Sequence, residues 1–157
     1  MRRRKCYFTT EPGAPAPLVH ECRRRVAFSE VDAMAVTWHG NYLLFFETAH
    51  SELMQKIGLG FAEYARHNLA APVVQCHVDY FAPLMLDELF TVRAELYWSD
   101  GARFDSAYSV TGADGRSCAA GYTVQMFCDL KTREPCLFTP DPDAKMRDRW
   151  RRGEFDD

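Results

Sequence analysis

Apolar residues recur every three or four positions from Tyr42, through Phe45, Phe46, Ala49 and Leu53, to Ile57. That period predicts a helix over 41–57 with one apolar face. Asn41 is placed as its N-cap and Gly58 as the residue that ends it. The apolar arc covers about half the cylinder, which suits a helix wrapped by other structure rather than lying on a surface.

The period then changes to two. Val74, Cys76, Val78 and Tyr80 alternate with Gln75, His77 and Asp79. Phe90, Val92, Ala94, Leu96 and Trp98 alternate with Thr91, Arg93, Glu95 and Tyr97. Residues 104–111 form a further strand, and Cys118, Ala120, Tyr122, Val124, Met126 and Cys128 mark one face of the next. Asp100-Gly101 and Asp114-Gly115 read as the intervening turns. An earlier strand spans 22–28, and residues 29–40 connect it to the helix. Strand, helix, then four strands in a meander give an α+β domain, with the sheet curled around the helix.

The chain holds 157 residues, 47% apolar and 26% charged. That balance supports one globular core and excludes disorder and coiled coil. No apolar run reaches the roughly 20 residues of a membrane span. Residues 1–20, rich in Pro, Gly and Ala over 9–18, read as a leader or linker. Residues 21–140 read as the domain, and 141–157 as a charged C-terminal helix or tail.

The net charge of −3 is uneven. Residues 1–25 hold seven basic and two acidic side chains, whereas 26–139 hold seven basic and fourteen acidic. An acidic body argues against nucleic-acid binding. The basic start, Arg2 to Lys5, could form an electrostatic arm. It lacks the apolar region of a secretion signal, so a cytoplasmic location is expected. The six cysteines form no CxxC pair, and Cys118 and Cys128 read as reduced core thiols. Cys76, His77 and Asp79 make a poor metal site, because alternation sends Cys76 to the opposite face.

Candidate chemistry gathers in FSEVDAMAVTWHGNYLLFFE, residues 28–47. Asp32 precedes His39, Gly40 and Asn41 at the helix start, and Glu47 follows inside the helix. A helix N-terminus offers unpaired N–H groups and partial positive charge, suited to an oxygen that becomes negative during reaction. A carboxylate of ordinary acidity is ionised at neutral pH and can attack a carbonyl or activate water. Taken singly, Asp32 is more often a turn residue, His39 a capping or partly exposed histidine, and Glu47, about 140° from Tyr42 on the wheel, a solvated or paired flank charge.

The segment VDAMAVTWHGNYLLFFETA resembles the active-site loop and helix of hotdog-fold acyl-CoA thioesterases of the 4-hydroxybenzoyl-CoA thioesterase and YbgC-like type. Asp32, Trp38, His39, Asn41, Tyr42 and Glu47 fall in register. The likeness continues in DYFAPLMLDELFTV at Tyr80, Pro83, Asp87 and Glu88, and spans about residues 22–140.

The resemblance implies a hotdog fold, a five-stranded antiparallel sheet wrapped around one long central helix. It implies thioester hydrolysis on an acyl-CoA or an acyl carrier protein, without metal or organic cofactor, CoA entering only as part of the substrate. It implies at least a homodimer, possibly a tetramer, with the active site at the subunit interface. Asp32 would be nucleophile or general base, with Glu47 the alternative carboxylate. The backbone N–H of His39, and that of Gly40, would polarise the carbonyl, while the His39 side chain positions water. Asn41, Tyr42, Trp38 and Met34 would shape the acyl pocket.

Three departures stand out. Ala33, Met34 and Ala35 replace the glycine common after the Asp. His50 stands where a basic residue is common. The basic pair for CoA phosphates is reduced to Arg103. A non-catalytic acyl-carrier-binding protein and a hotdog dehydratase are the rival readings.

Overall fold

The computed structural model describes residues 6–156; the expected arm at Arg2–Lys5 lies outside them. Five strands form one antiparallel sheet: β1 (Leu18–Arg25), β3 (Val73–Tyr80), β4 (Leu89–Tyr97), β5 (Arg103–Gly112) and β6 (Ser117–Met126), in the order β1-β4-β5-β6-β3. β2 (Leu69–Ala70) and β7 (Cys128–Asp129) form a short separate ribbon. The long helix α1 (Asn41–Lys56) lies across the sheet, with a short α2 (Phe61–Arg66) after it and α3 (Asp141–Arg151) near the end.

The expected helix is present with its expected face. Phe45, Phe46, Ala49 and Leu53 are fully buried, with Tyr42 and Ile57 close behind. Each large side chain so buried stabilises the fold by about 1.5–3 kcal/mol. The helix ends in a Schellman motif: Leu59 N–H bonds to Met54 O, Gly58 N–H bonds to Gln55 O, and Gly58 takes φ +83°. Only glycine adopts that backbone without strain. Its start differs from expectation. Gly40, not Asn41, occupies the cap position, and Asn41 lies in the first turn.

Strand β4 alternates as its sequence suggests, with Phe90, Val92, Ala94 and Leu96 buried. Strand β6 does not. Its helix-facing row contains Ala119, Gly121 and Thr123, while Tyr122 stands on the outer face against Tyr7, Phe8 and His77. The inner row must be small because Phe46 and Tyr108 stack there, rings 4.6 Å apart. A Cβ at residue 121 would press on Phe46 and on the His77 carbonyl. The outer row is apolar because residues before β1 cross that face, Tyr7 donating to Asp79 at 2.7 Å.

The ends of the domain also shift. β1 begins at Leu18, inside the expected leader, and ends at Arg25, before the expected Phe28, which instead opens a 3₁₀ turn over 28–30. Asp100-Gly101 is not a two-residue turn but part of a five-residue connection, 98–102. The Arg147 guanidinium fills it, donating to the carbonyls of Ser99, Gly101 and Arg103. Arg147 pairs with the fully buried Asp143 at 2.7 Å. Trp150 donates to Ala16 O at 2.9 Å, so the charged C-terminal helix is docked by its apolar and paired side chains. Among the described residues, no helix is long and apolar enough to cross a membrane.

Candidate active site

The connection from β1 to α1 folds into a tight loop. Asp32 and Val36 join by a backbone bond of 2.9 Å, and Val31 bridges to Thr37. The Asp32 carboxylate accepts the Met34 N–H at 2.8 Å, closing an Asx turn that leaves its second oxygen free of this bond. To close the loop, Ala35 takes φ +58°. Glycine adopts that backbone freely, and an alanine there costs about 1 kcal/mol. The loop is held on its far side by Val36 bridging to Met85 and by Leu86 N–H bonding to Ala35 O.

The helix start is pinned to the same loop. The Asn41 amide donates to Glu30 O at 2.7 Å, and Trp38 N–H reaches Glu30 O at 2.9 Å. Glu30 is itself held by Arg24 at 2.9 Å. Asn41 N–H and Tyr42 N–H turn back to the carbonyls of Trp38 and His39. The N–H groups of His39 and Gly40 make no hydrogen bond among the described residues. The Trp38 ring folds over Gly40, where any Cβ would collide with it.

Asp32, His39 and Tyr42 line one cleft of about 370 Å³, together with Thr37, Tyr80 and Pro83. Sequence reasoning placed the first three in the site and passed over Thr37 and Tyr80. Tyr80 donates to His39 O at 2.9 Å, and its ring meets those of His39 and Tyr42 edge-on. Tyr80 was visible as the last apolar residue of an alternating strand and as part of the second resembling passage, but not as a site residue. Thr37 is buried with its hydroxyl unpartnered, and nothing in its sequence context marked it. Burial raises the Tyr42 phenol above its ordinary value, so it is neutral.

Other expected site residues lie elsewhere. Met34 is 75% exposed at the loop tip and does not line the cleft. Trp38 is half exposed, packed on the His39 ring at 5.0 Å. Arg103 pairs with Asp105 at 2.7 Å on the outer sheet face. It stands opposite Met126, seven residues along β6 from the Ala119 that faces Tyr80, or roughly 23 Å. Within one chain it is too far to serve the Asp32 cleft.

Glu47 lines a second, larger cavity of about 1190 Å³ between α1, α2 and the helix-facing side of β3, β5 and β6. Cys76 and the half-buried Cys128 lie on its wall, Cys118 being fully buried. Cys76 and the pair His77–Asp79 do face opposite ways: Cys76 reaches this cavity, while His77 stacks on Tyr122 outside. Burial lowers the His50 imidazole to about 4, so it is neutral at pH 7.

A five-stranded antiparallel sheet curled around one long helix is the hotdog arrangement. Residues 26–146 match the Thioesterase-like superfamily, and the chain belongs to that family. It is 31% identical over 101 residues to a 1,4-dihydroxy-2-naphthoyl-CoA hydrolase of Synechococcus, covering 61% of this chain and 76% of that protein. A DHNA-CoA thioesterase from Staphylococcus aureus superposes with a TM-score of 0.77 at 21% identity, covering 87% of this chain and 93% of that one. A second Staphylococcus aureus protein, solved in complex with CoA, superposes with a TM-score of 0.75 at 19% identity, covering 88% and 86%.

Proposed function

We propose that the protein hydrolyses an acyl-CoA thioester to a free acid and a thiol. Asp32 acts as nucleophile or as base for a water molecule, and the N–H groups of His39 and Gly40 receive the carbonyl oxygen. The observation that carries this reading is that Asp32 and His39 line one cleft at the start of the helix, where the N–H groups of His39 and Gly40 have no hydrogen-bond partner among the described residues. Such donors are worth most when aimed at charge that develops only in the transition state. The His39 ring, at the rim of the cleft, orients water or the carboxylate. Asn41 and Tyr80 hold the helix start and the His39 peptide in place.

A CoA ester is the favoured substrate because the Synechococcus relative is named for one and a structural neighbour was solved with CoA. Strand β3 ends the sheet with an unpaired edge and exposes Val73, Val74 and Tyr80. Such an edge favours pairing with another strand, and we infer a homodimer formed by two β3 edges.

A thiol-release screen tests the reading. Short, long and aromatic acyl-CoAs are offered with one acyl carrier protein adduct. Turnover of at least one CoA ester, lost in Asp32→Asn, supports it. Tight binding without thiol release from any substrate refutes it.

A further inference from the structure

The large cavity carries polar groups at its floor that the thioesterase reading does not use. His50 Nδ1 and the Ser106 hydroxyl are 3.3 Å apart, and Ser106 is fully buried. Beside them the Tyr108 and Thr123 hydroxyls are 2.8 Å apart. The His50 ring is wedged edge-on against Phe104 and Tyr108, which fixes its direction. Its second nitrogen, Nε2, bonds to nothing among the described residues and is not sealed in protein, so it opens on the cavity. The walls around it are mostly apolar, including Phe46, Met54 and Leu59, with Glu47, Gln55 and Gln125 also on the lining.

A mostly apolar cavity with a few fixed polar groups binds a ligand that is mostly apolar and carries a matching hydrogen-bonding group. A site built to bond a hydroxyl rejects the analogue that lacks one, because its own group is left unpaired. Tyr42 lines the Asp32 cleft and His50 the cavity, eight residues apart on α1, or about 12 Å of helix rise. That separation matches an extended acyl chain of about ten atoms.

We propose that the cavity receives the far end of the acyl group and that His50 Nε2 hydrogen-bonds a hydroxyl there, making the enzyme selective for long acyl chains hydroxylated at their distal end. The identity of the reaction rests on the thioesterase reading; the recognition by His50 does not. The neutral imidazole suits this task, since it offers either a donor or an acceptor without the cost of a buried charge. Ser106 sets its orientation through Nδ1.

The test compares 10-hydroxydecanoyl-CoA with decanoyl-CoA, and the two free acids by titration calorimetry. The expected KM and Kd are about tenfold lower for the hydroxylated member, one hydrogen bond's worth. In His50→Phe, which keeps the ring, that ratio falls to about one, and in His50→Gln part of it returns. Should His50→Phe melt early, Ser106→Ala replaces it and also lowers the ratio. Equal constants for the two acids in the parent protein, or an unchanged ratio in the variants, overturn the proposal. If the acids are discriminated but no thioester turns over, the cavity assignment stands and the hydrolase reading falls.

Discussion

The phenol of Tyr80 donates to the carbonyl oxygen of His39 at 2.9 Å, tying the end of an edge strand to the peptide that precedes the helix. That bond orients the Gly40 N–H, which shares the peptide. Tyr80→Phe is expected to lower kcat about tenfold while changing stability by no more than about 1 kcal/mol. Steady-state kinetics and a urea titration on the same preparation check both halves.

Asp32→Asn keeps the shape of the Asx turn and removes the charge. Loss of an interaction made only in the transition state should cut kcat by two to three decades, about 3–4 kcal/mol. Glu47→Gln, in the other cavity, should cost less than tenfold. Single-turnover hydrolysis in ¹⁸O-water tests the nucleophilic role of Asp32, since label in its carboxylate requires a covalent acyl-enzyme opened by water at the aspartyl carbon.

Ala35 sits at φ +58°. Ala35→Gly relieves that strain but adds entropy to the unfolded chain, for a net gain of about 0.5–1 kcal/mol. A raised urea midpoint with an unchanged slope is the expected result.

Gly40→Ala places a methyl group on the Trp38 ring. The ring must swing away, moving the helix start relative to Asp32. A fall of at least tenfold in kcat is expected, partly recovered in Gly40→Ala combined with Trp38→Ala. Additive losses would show that the two residues act separately.

His50 is held at about 4 by burial, against an ordinary value of 6.5. Between those values the unfolded chain binds the proton and the folded protein does not. Its contribution is therefore complete above about pH 6.5 and is lost as the pH falls towards 4, to a limit of about 3 kcal/mol. Urea midpoints should drop between pH 7 and pH 5, and less steeply in His50→Phe.

The helix was legible because its face is long, wide and closed by Gly58. Strand β4 was legible because only one of its faces is buried. Strand β6 misled because both faces are covered, and the larger apolar residues lie on the outer one. The motif grouped Asp32, His39 and Tyr42, and the three line one cleft. Tyr80, though part of the second passage, was not grouped with them, because its hydrogen bond joins elements 41 residues apart. The large cavity had no sequence signal at all: its polar floor draws on α1, β5 and β6, and no short pattern spans them.

The bond from Trp150 to Ala16 crosses 134 residues. A ribosome that has released β1 through β6 has still not supplied the Arg147 that satisfies the 98–102 carbonyls or the indole that covers the start of β1. Folding dominated by such distant contacts is slow, and unpaired edges invite association meanwhile. Yield during synthesis should therefore depend on how soon α3 docks, and substitutions at Trp150 should appear first as aggregation and only secondarily as lost turnover.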